Sequence, residues 1–162
     1  MTRTMLPGEP LSPAQSNAAA KVATIANAYQ VQQWLHETFF DPQDWSELNP
    51  DQLEFLSDWN LEREDCSCDA IEDALWQFVR YENLSAEVCS GFYPAGTEAP
   101  EPTRWRVWLS IGGPSCYLQG DFSNTTIDAI EVICSWAGPD QHYSPTDLEL
   151  EALEWFASQL VG

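Results

Sequence analysis

Carboxylate side chains recur in this sequence at spacings that would align them in rows along helices. Residues three or four positions apart rise by about 4.5 to 6 Å along an α-helix, which is close to the spacing of phosphates along a nucleic-acid strand. Such rows can present negative charge at regular intervals to a cationic partner. The rows are Asp51, Glu54, Asp58 and Glu62, then Asp65, Asp69 and Glu72, and finally Asp147, Glu151 and Glu154.

The rows have little basic compensation. The predicted helices that hold Asp51 and Asp147 contain no lysine. Like charges four residues apart on a helix cost about 0.2 to 0.5 kcal/mol each, so this repulsion is left uncompensated. Two alternatives stay open. Each row could be the ordinary solvated face of an amphipathic helix, or the whole surface could be adapted to high salt.

One tryptophan accompanies the acidic residues. Trp76 falls on the same predicted helix face as Asp69 and Asp73, away from Leu75 and Phe78. An exposed tryptophan beside acid is the type of side chain that anchors protein interfaces, and the alternative is a tryptophan packed under a neighbouring helix. Asp73 and Trp76 join the acidic rows as the candidate partner-binding residues.

Two of the six Lys and Arg residues lie on one predicted strand. Arg104, Arg106 and Trp108 alternate with apolar residues and therefore share the outer face of that strand. We interpret this group as neutralising the acidic helices and stacking on aromatic rings.

No residues form a recognisable catalytic motif. A nucleophilic serine or cysteine needs a positioned base, and the two histidines, His36 and His142, have no motif around them. Cys66 and Cys68 lack a second pair at zinc-ligand spacing, and no phosphate loop, dinucleotide fingerprint or calcium loop is present. The sequence therefore predicts no enzyme, no metal and no cofactor, and a metal-dependent acidic hydrolase is the least favoured alternative.

The net charge of the chain supports a role in binding cationic partners. The chain has 26 Asp and Glu against 6 Lys and Arg, a net charge of −20 over 162 residues, yet 44% of its residues are hydrophobic. This apolar content predicts a folded chain. A folded domain of this length is about 40 Å across, and duplex DNA of that length carries roughly 23 negative charges. Basic proteins are the expected partners, whereas nucleic acid and anionic membranes would be repelled.

Three helices are predicted in the first half of the chain. The first begins at Ser12, which caps a helix with proline at its first position, and runs to Asp41. The second opens at Asn49 and reaches about Leu61, and the third covers roughly residues 67–82.

The second half predicts strands and then two more helices. Asn124 is predicted to cap the fourth helix and Ser144 to begin the fifth. The result is an α+β fold, with a three-stranded antiparallel β-meander packed with about five helices on one face. The predicted strands are residues 88–94, 103–111 and 115–122, and the fourth helix holds Ile127, Ile130 and Ile133.

The length predicts one domain, with residues 1–12 as a flexible tail and residues 13–162 as a single α+β domain. No basic segment precedes a hydrophobic one, so we expect neither a signal peptide nor a transmembrane helix, and a cytoplasmic location. The odd number and irregular spacing of the cysteines predict reduced thiols. These cysteines are Cys66, Cys68, Cys89, Cys116 and Cys134.

Three short motifs resemble the KlcA/ArdB type of plasmid antirestriction protein. They are Trp76-Gln77-Phe78, then Gly91-Phe92-Tyr93-Pro94-Ala95, and then Gly120-Asp121-Phe122-Ser123 followed by a predicted helix. The order is similar to the W-x-F, G-F-Y and G-E-x-S order of that family, over roughly a third of the chain, with a longer gap between the first two motifs. The resemblance implies a small sheet with several helices. The charge is also similar to that of anti-CRISPR proteins that imitate DNA.

These observations favour a non-enzymatic inhibitor that occupies the DNA-binding channel of a defence protein, such as a restriction enzyme or a CRISPR effector. The alternative is an immunity or chaperone-like protein that neutralises one basic partner, such as a cationic nuclease toxin, through shape as well as charge.

Overall fold

The computed structural model describes residues 10–37, 42–62, 67–124 and 126–161, which form a mixed α+β fold. The helices are α1 (Pro13–Glu37), a 3₁₀ helix (Pro42–Glu47), α2 (Pro50–Asp58), α3 (Cys68–Glu82) and α4 (Asp147–Val161). The strands are β1 (Ser85–Cys89), β2 (Arg104–Ser110), β3 (Pro114–Ser123), β4 (Thr126–Trp136) and β5 (Gln141–Tyr143). Residues 1–9 of the predicted tail lie outside these ranges. No helix in the described ranges is long and apolar enough to cross a membrane.

The strands form one antiparallel sheet in the order β1-β2-β3-β4-β5. The α+β class is confirmed, but the prediction of three strands and five helices is wrong in detail. The second and third predicted strand segments fall in β2 and β3, whereas only residues 88 and 89 of the first lie in β1. Of the first segment, residues 90–94 lie in an exposed loop after β1.

The fourth predicted helix is a strand. Asn124, its predicted cap, instead lies in the connection between β3 and β4 with φ of 61°, a conformation that asparagine accepts more readily than most residues. The β-branched composition of this segment suits a strand. The three isoleucines whose spacing indicated a helix lie in β4, and they are Ile127, Ile130 and Ile133.

A β-bulge explains the misleading spacing between Ile127 and Ile130 in β4, whereas Ile133 pairs with Tyr117 on the outer face of the sheet. Gln119 pairs with Glu131, whereas Asp121 pairs with Asp128, so β4 contains one residue more than β3 between these pairs. Ala129, inside this interval, has φ of 52°. The extra residue interrupts the alternation of inward and outward side chains, and the apolar positions on either side of it fall three apart.

The N-terminus of α1 is tied to the last strand of the sheet. Gln15 N donates to Ser12 Oγ at 3.2 Å, which confirms Ser12 as the helix cap. The Gln15 Nε2 amide donates to the His142 carbonyl at 3.0 Å, and Ser12 Oγ hydrogen-bonds Gln141 Oε1. The helix then runs across β3, β4 and β5 and also contacts α2, α3 and α4. It therefore occupies the centre of the molecule.

Capping boxes fix the starts of the two helices that carry long acidic rows. At α2, Gln52 N donates to Asn49 Oδ1 at 2.9 Å, and Asn49 N donates to Gln52 Oε1 at 2.8 Å. At α4, Glu149 N donates to Thr146 Oγ1 at 3.3 Å, and Thr146 N donates to Glu149 Oε1 at 2.9 Å. The predicted start of this helix at Ser144 is therefore too early.

Aromatic rings join α2, α3 and α4 in the core. Phe78 is buried, and its ring lies edge-on to Phe55 at 5.5 Å, Trp59 at 6.4 Å and Phe156 at 6.2 Å between centroids. Edge-to-face pairs at these distances add stability beyond the area that they bury. This cluster locks α3, and with it one acidic row, onto its neighbours.

On the outer face of the sheet, the two arginines of β2 interact with other side chains of the sheet. The Arg106 guanidinium lies 4.6 Å from the Tyr117 ring centroid and 5.7 Å from that of Trp108. The Arg104 Nε atom lies 3.5 Å from Asp121 Oδ1. The expected stacking is present, and the neutralised acid lies on β3 rather than on a helix.

Two cysteines face each other inside the sheet. Cys116 on β3 pairs in register with Cys134 on β4, and both are buried. Cys68, Cys89, Cys116 and Cys134 are free thiols, as predicted, and Cys66 lies outside the described residues. Burial raises the pKa of the Cys116 thiol to about 12 and that of Cys134 to about 11.

These thiols should make the fold sensitive to alkali. The folded protein retains both protons, whereas the unfolded chain releases them around the ordinary thiol pKa of 9.0, so the free energy of unfolding should fall between pH 9 and 11 to 12. Urea unfolding under reducing conditions, at neutral pH and across that range, measures the loss. A double variant with Cys116→Ala and Cys134→Ala should lose less stability over the same range. If both proteins lost the same stability, the two thiols would not be the cause of the sensitivity to alkali.

Candidate protein-interaction surface

The acidic rows are exposed wherever the structure describes them. Asp65 lies outside the described residues, so the second row is seen only in part. The remaining acidic candidates all carry exposed side chains, and they are Asp51, Glu54, Asp58, Glu62, Asp69, Glu72, Asp73, Asp147, Glu151 and Glu154. The prediction that these residues face water is correct for this set.

None of these exposed carboxylates forms an ion pair with another described residue. The ion pairs found between described residues join Lys21 to Glu82, Arg104 to Asp121 and His142 to Glu131. Asp73 accepts one hydrogen bond, from Gln77 Nε2 at 2.7 Å on the same helix. The basic side chains involved in these pairs are thus engaged elsewhere, and the negative charge of the rows stays available to a partner.

A groove between α3 and α4 places acid beside aromatic rings. Its volume is about 220 Å³, and Glu72 and Trp76 of α3 line it opposite Trp155 of α4, with Gln32 of α1 beside them. Trp76 is 47% exposed. Trp76 is therefore only partly covered by the neighbouring helix. About half of its surface remains available for contact.

A second groove of about 470 Å³ shares Trp155 with the first. Glu151 and Glu154 of α4 line it together with Trp155 and with Tyr29 of α1. The Tyr29 and Trp155 rings pack at 5.8 Å between centroids. The α3 and α4 rows therefore flank one aromatic ridge, which we define as Trp76, Trp155 and Tyr29.

The α2 row stands apart from this ridge. The helix packs on α1, where Asn49 Nδ2 donates to Gln30 Oε1 at 2.8 Å, and its Phe55 contacts α3. Its exposed carboxylates line neither groove. The structure therefore brings Glu72 of the α3 row, and Glu151 and Glu154 of the α4 row, to two grooves that share Trp155. Asp51, Glu54 and Asp58 lie on the separate face of α2. The helix ends at Asp58, and Asn60 has φ of 58°, so the prediction that Glu62 continues this row along the helix is wrong.

Tyr29 and Trp155 were not among the residues predicted to lie at the surface. Both lie on apolar stripes that predict core positions, and both are half-buried. Trp155 follows exposed Leu148 by seven residues, a spacing that places both on one side of α4. That shared side is the signal that separates Trp155 from the buried positions Leu153 and Phe156.

The three motifs of the antirestriction resemblance lie in different settings. Trp76 to Phe78 belong to α3, residues 91–95 to the exposed loop after β1, and Gly120 to Ser123 to the end of β3. The segment that follows the third motif is β4 rather than the expected helix.

Comparison of the chain with protein-family models, with curated proteins and with solved structures finds no significant match. Within the described ranges, no group of three or more His, Cys, Asp or Glu side chains is placed to hold a metal ion.

Proposed function

We propose that the protein is a non-enzymatic inhibitor that imitates DNA and occupies the DNA-binding channel of a defence protein, such as a restriction enzyme or a CRISPR effector. One observation carries the proposal: the acidic rows are exposed and, among the described residues, free of ion pairs. A channel built to hold phosphates offers Lys and Arg at intervals that such rows can match. The target would be blocked by occupancy, without any chemical step.

The charge also supports fast capture of a basic target. Complementary potentials steer association and can raise its rate by about ten-fold to a thousand-fold at low salt. Exposed charges are screened over about 8 Å at physiological ionic strength. Association with the target should therefore slow steeply as salt is added.

The aromatic ridge favours the second candidate function, an immunity-type protein that neutralises one basic partner such as a cationic nuclease toxin. Half-exposed tryptophans beside grooves are typical anchors of tight protein interfaces. In that case binding energy would be concentrated at Trp76 rather than distributed over the acidic rows.

A competition experiment tests the inhibitor proposal. The protein should displace a labelled DNA duplex from the restriction enzyme or CRISPR effector that it inhibits. Reversing Asp51, Glu54 and Asp58 to lysine should slow association at least about ten-fold and restore DNA binding, because the exposed α2 row would then repel the channel.

A charge-matched control separates position from net charge. Reversal of Glu87, Glu98 and Glu101, which are exposed and lie outside the helices, changes the net charge equally and should have a much smaller effect. If Trp76→Ala reduced affinity for the target more than the α2 reversal does, through faster dissociation, the immunity-type function would be favoured. Simultaneous binding of DNA and this protein with unchanged affinities would rule out DNA mimicry.

A further inference from the structure

β1 is an edge strand with an open side. It hydrogen-bonds to β2 alone within the sheet, in an unbroken register from Ser85 to Cys89. Ala86, Glu87, Val88 and Cys89 are all exposed. Native proteins usually protect such an edge with lysine, proline, a bulge or a covering segment. The sequence of β1 has neither lysine nor proline, and its ladder has no bulge.

The helix-facing side of β1 exposes an apolar strip. Ala86 and Val88 pair with Val107 and Trp105, which are buried under the helices. Val88 nevertheless remains 55% exposed, and Leu84 is 56% exposed. Leu84 N donates to the Trp108 carbonyl at 2.9 Å, so the chain already follows β2 at this point. We define Leu84, Ala86 and Val88 as the β1 strip; α4 contacts β1 but leaves these three side chains exposed.

The opposite side of β1 carries one carboxylate, that of Glu87. Glu87 pairs in register with Arg106, but the Arg106 side chain is directed to β3, where its guanidinium lies over Tyr117. Arg104 is directed to Asp121, also on β3. Glu87 forms no ion pair with any described residue, although it lines a groove of about 220 Å³ together with Arg104 and Arg106. A strand placed here would meet negative charge on this side.

We propose that the free edge of β1 binds an extended segment of a partner protein in which apolar and basic residues alternate. The segment adds a sixth strand through main-chain hydrogen bonds, the mode known as β-augmentation. Its apolar side chains cover the β1 strip and its basic side chains face Glu87, because alternate residues of a strand point to opposite sides. This proposal concerns the sheet edge and does not depend on the acidic rows.

Charge decides between the possible occupants. A second copy of the chain would bring a further net charge of −20 and would oppose acid with acid. A basic segment satisfies the free main-chain groups, the apolar strip and Glu87 together.

The test uses the full-length, isotope-labelled protein and a short synthetic peptide of alternating lysine and valine. Binding should change the amide resonances of residues 84–89 first. Two further peptides carry N-methyl groups, one at every lysine and the other at every valine, so that each removes the donors of one peptide edge. Because strand addition uses one edge only, one methylated peptide should bind at least about ten-fold more weakly and the other should bind as the parent does.

Equal binding of both methylated peptides would show that the peptide is held by charge alone and would overturn the proposal. Val88→Lys should also weaken peptide binding about ten-fold, whereas Ile111→Lys, at an exposed apolar position after β2, should leave it unchanged. Similar effects of the two variants would count against the β1 strip. A dimer of the protein alone that ignores the peptide would identify a second copy as the occupant, which would also overturn the proposal.

Discussion

Replacing Phe78 with alanine should destabilise the protein by about 3 to 5 kcal/mol, the usual cost of emptying a buried aromatic site. The ring is buried and contacts Phe55, Trp59 and Phe156, which belong to or adjoin the other two helices of the cluster. Its removal leaves a cavity that no single neighbour can fill. Urea unfolding followed by circular dichroism measures the loss.

Tyr81→Ala is the matched control, since Tyr81 follows Phe78 by three residues on the same helix. Its side chain is 76% exposed and contacts Trp59 at one edge. We expect a change below about 1 kcal/mol. If the two variants were equally stable, the aromatic cluster would not be what joins the helices.

Gly120→Ala should destabilise the protein by about 3 kcal/mol, at the upper end of the usual cost of overpacking. A Cβ atom at this position would lie 2.6 Å from the Asp128 carbonyl oxygen and 2.8 Å from Trp105 Cζ2. The first neighbour is backbone at the β-bulge. The second is a buried ring whose Nε1 donates to the Asp121 carbonyl at 3.3 Å. Neither can withdraw without disturbing the sheet.

Gly113→Ala is the control for this substitution. A Cβ atom at Gly113 would meet no other atom within 4 Å, so its effect on unfolding in urea should stay within about 0.5 kcal/mol. A Gly120→Ala protein as stable as this control would show that the bulge region accommodates a methyl group. The glycine of the third motif therefore has a packing reason to be there that is independent of any function.

The helices were predictable where local chemistry alone decides the structure. Ser12 caps α1 and Asn49 caps α2 because their side chains accept from amides that the helix leaves free. In α3, Ile71, Leu75 and Phe78 recur at the helical period and are all buried. These features need only the neighbouring residues.

The strand β4 was not predictable in the same way, because its pattern depends on a partner strand. The bulge opposite Gly120 exists only when β3 and β4 are paired, and it converts an alternating pattern into a spacing of three. The same distinction between local and long-range causes applies to the candidate site. Exposure of Glu54 or Glu151 follows from helix periodicity, whereas the meeting of Trp76 with Trp155 depends on how α3 and α4 pack.

The central position of α1 has a consequence for how the protein is made. This helix leaves the ribosome before every element that it packs against, and its hydrogen bond from Gln15 to the His142 carbonyl spans 127 residues. Until α4 emerges, buried residues such as Val22 and Ile25 have no complete cover. Folding of this core therefore cannot be completed before α4 has emerged. A chain cut short before Asp147 exposes this helix to chaperones and proteases.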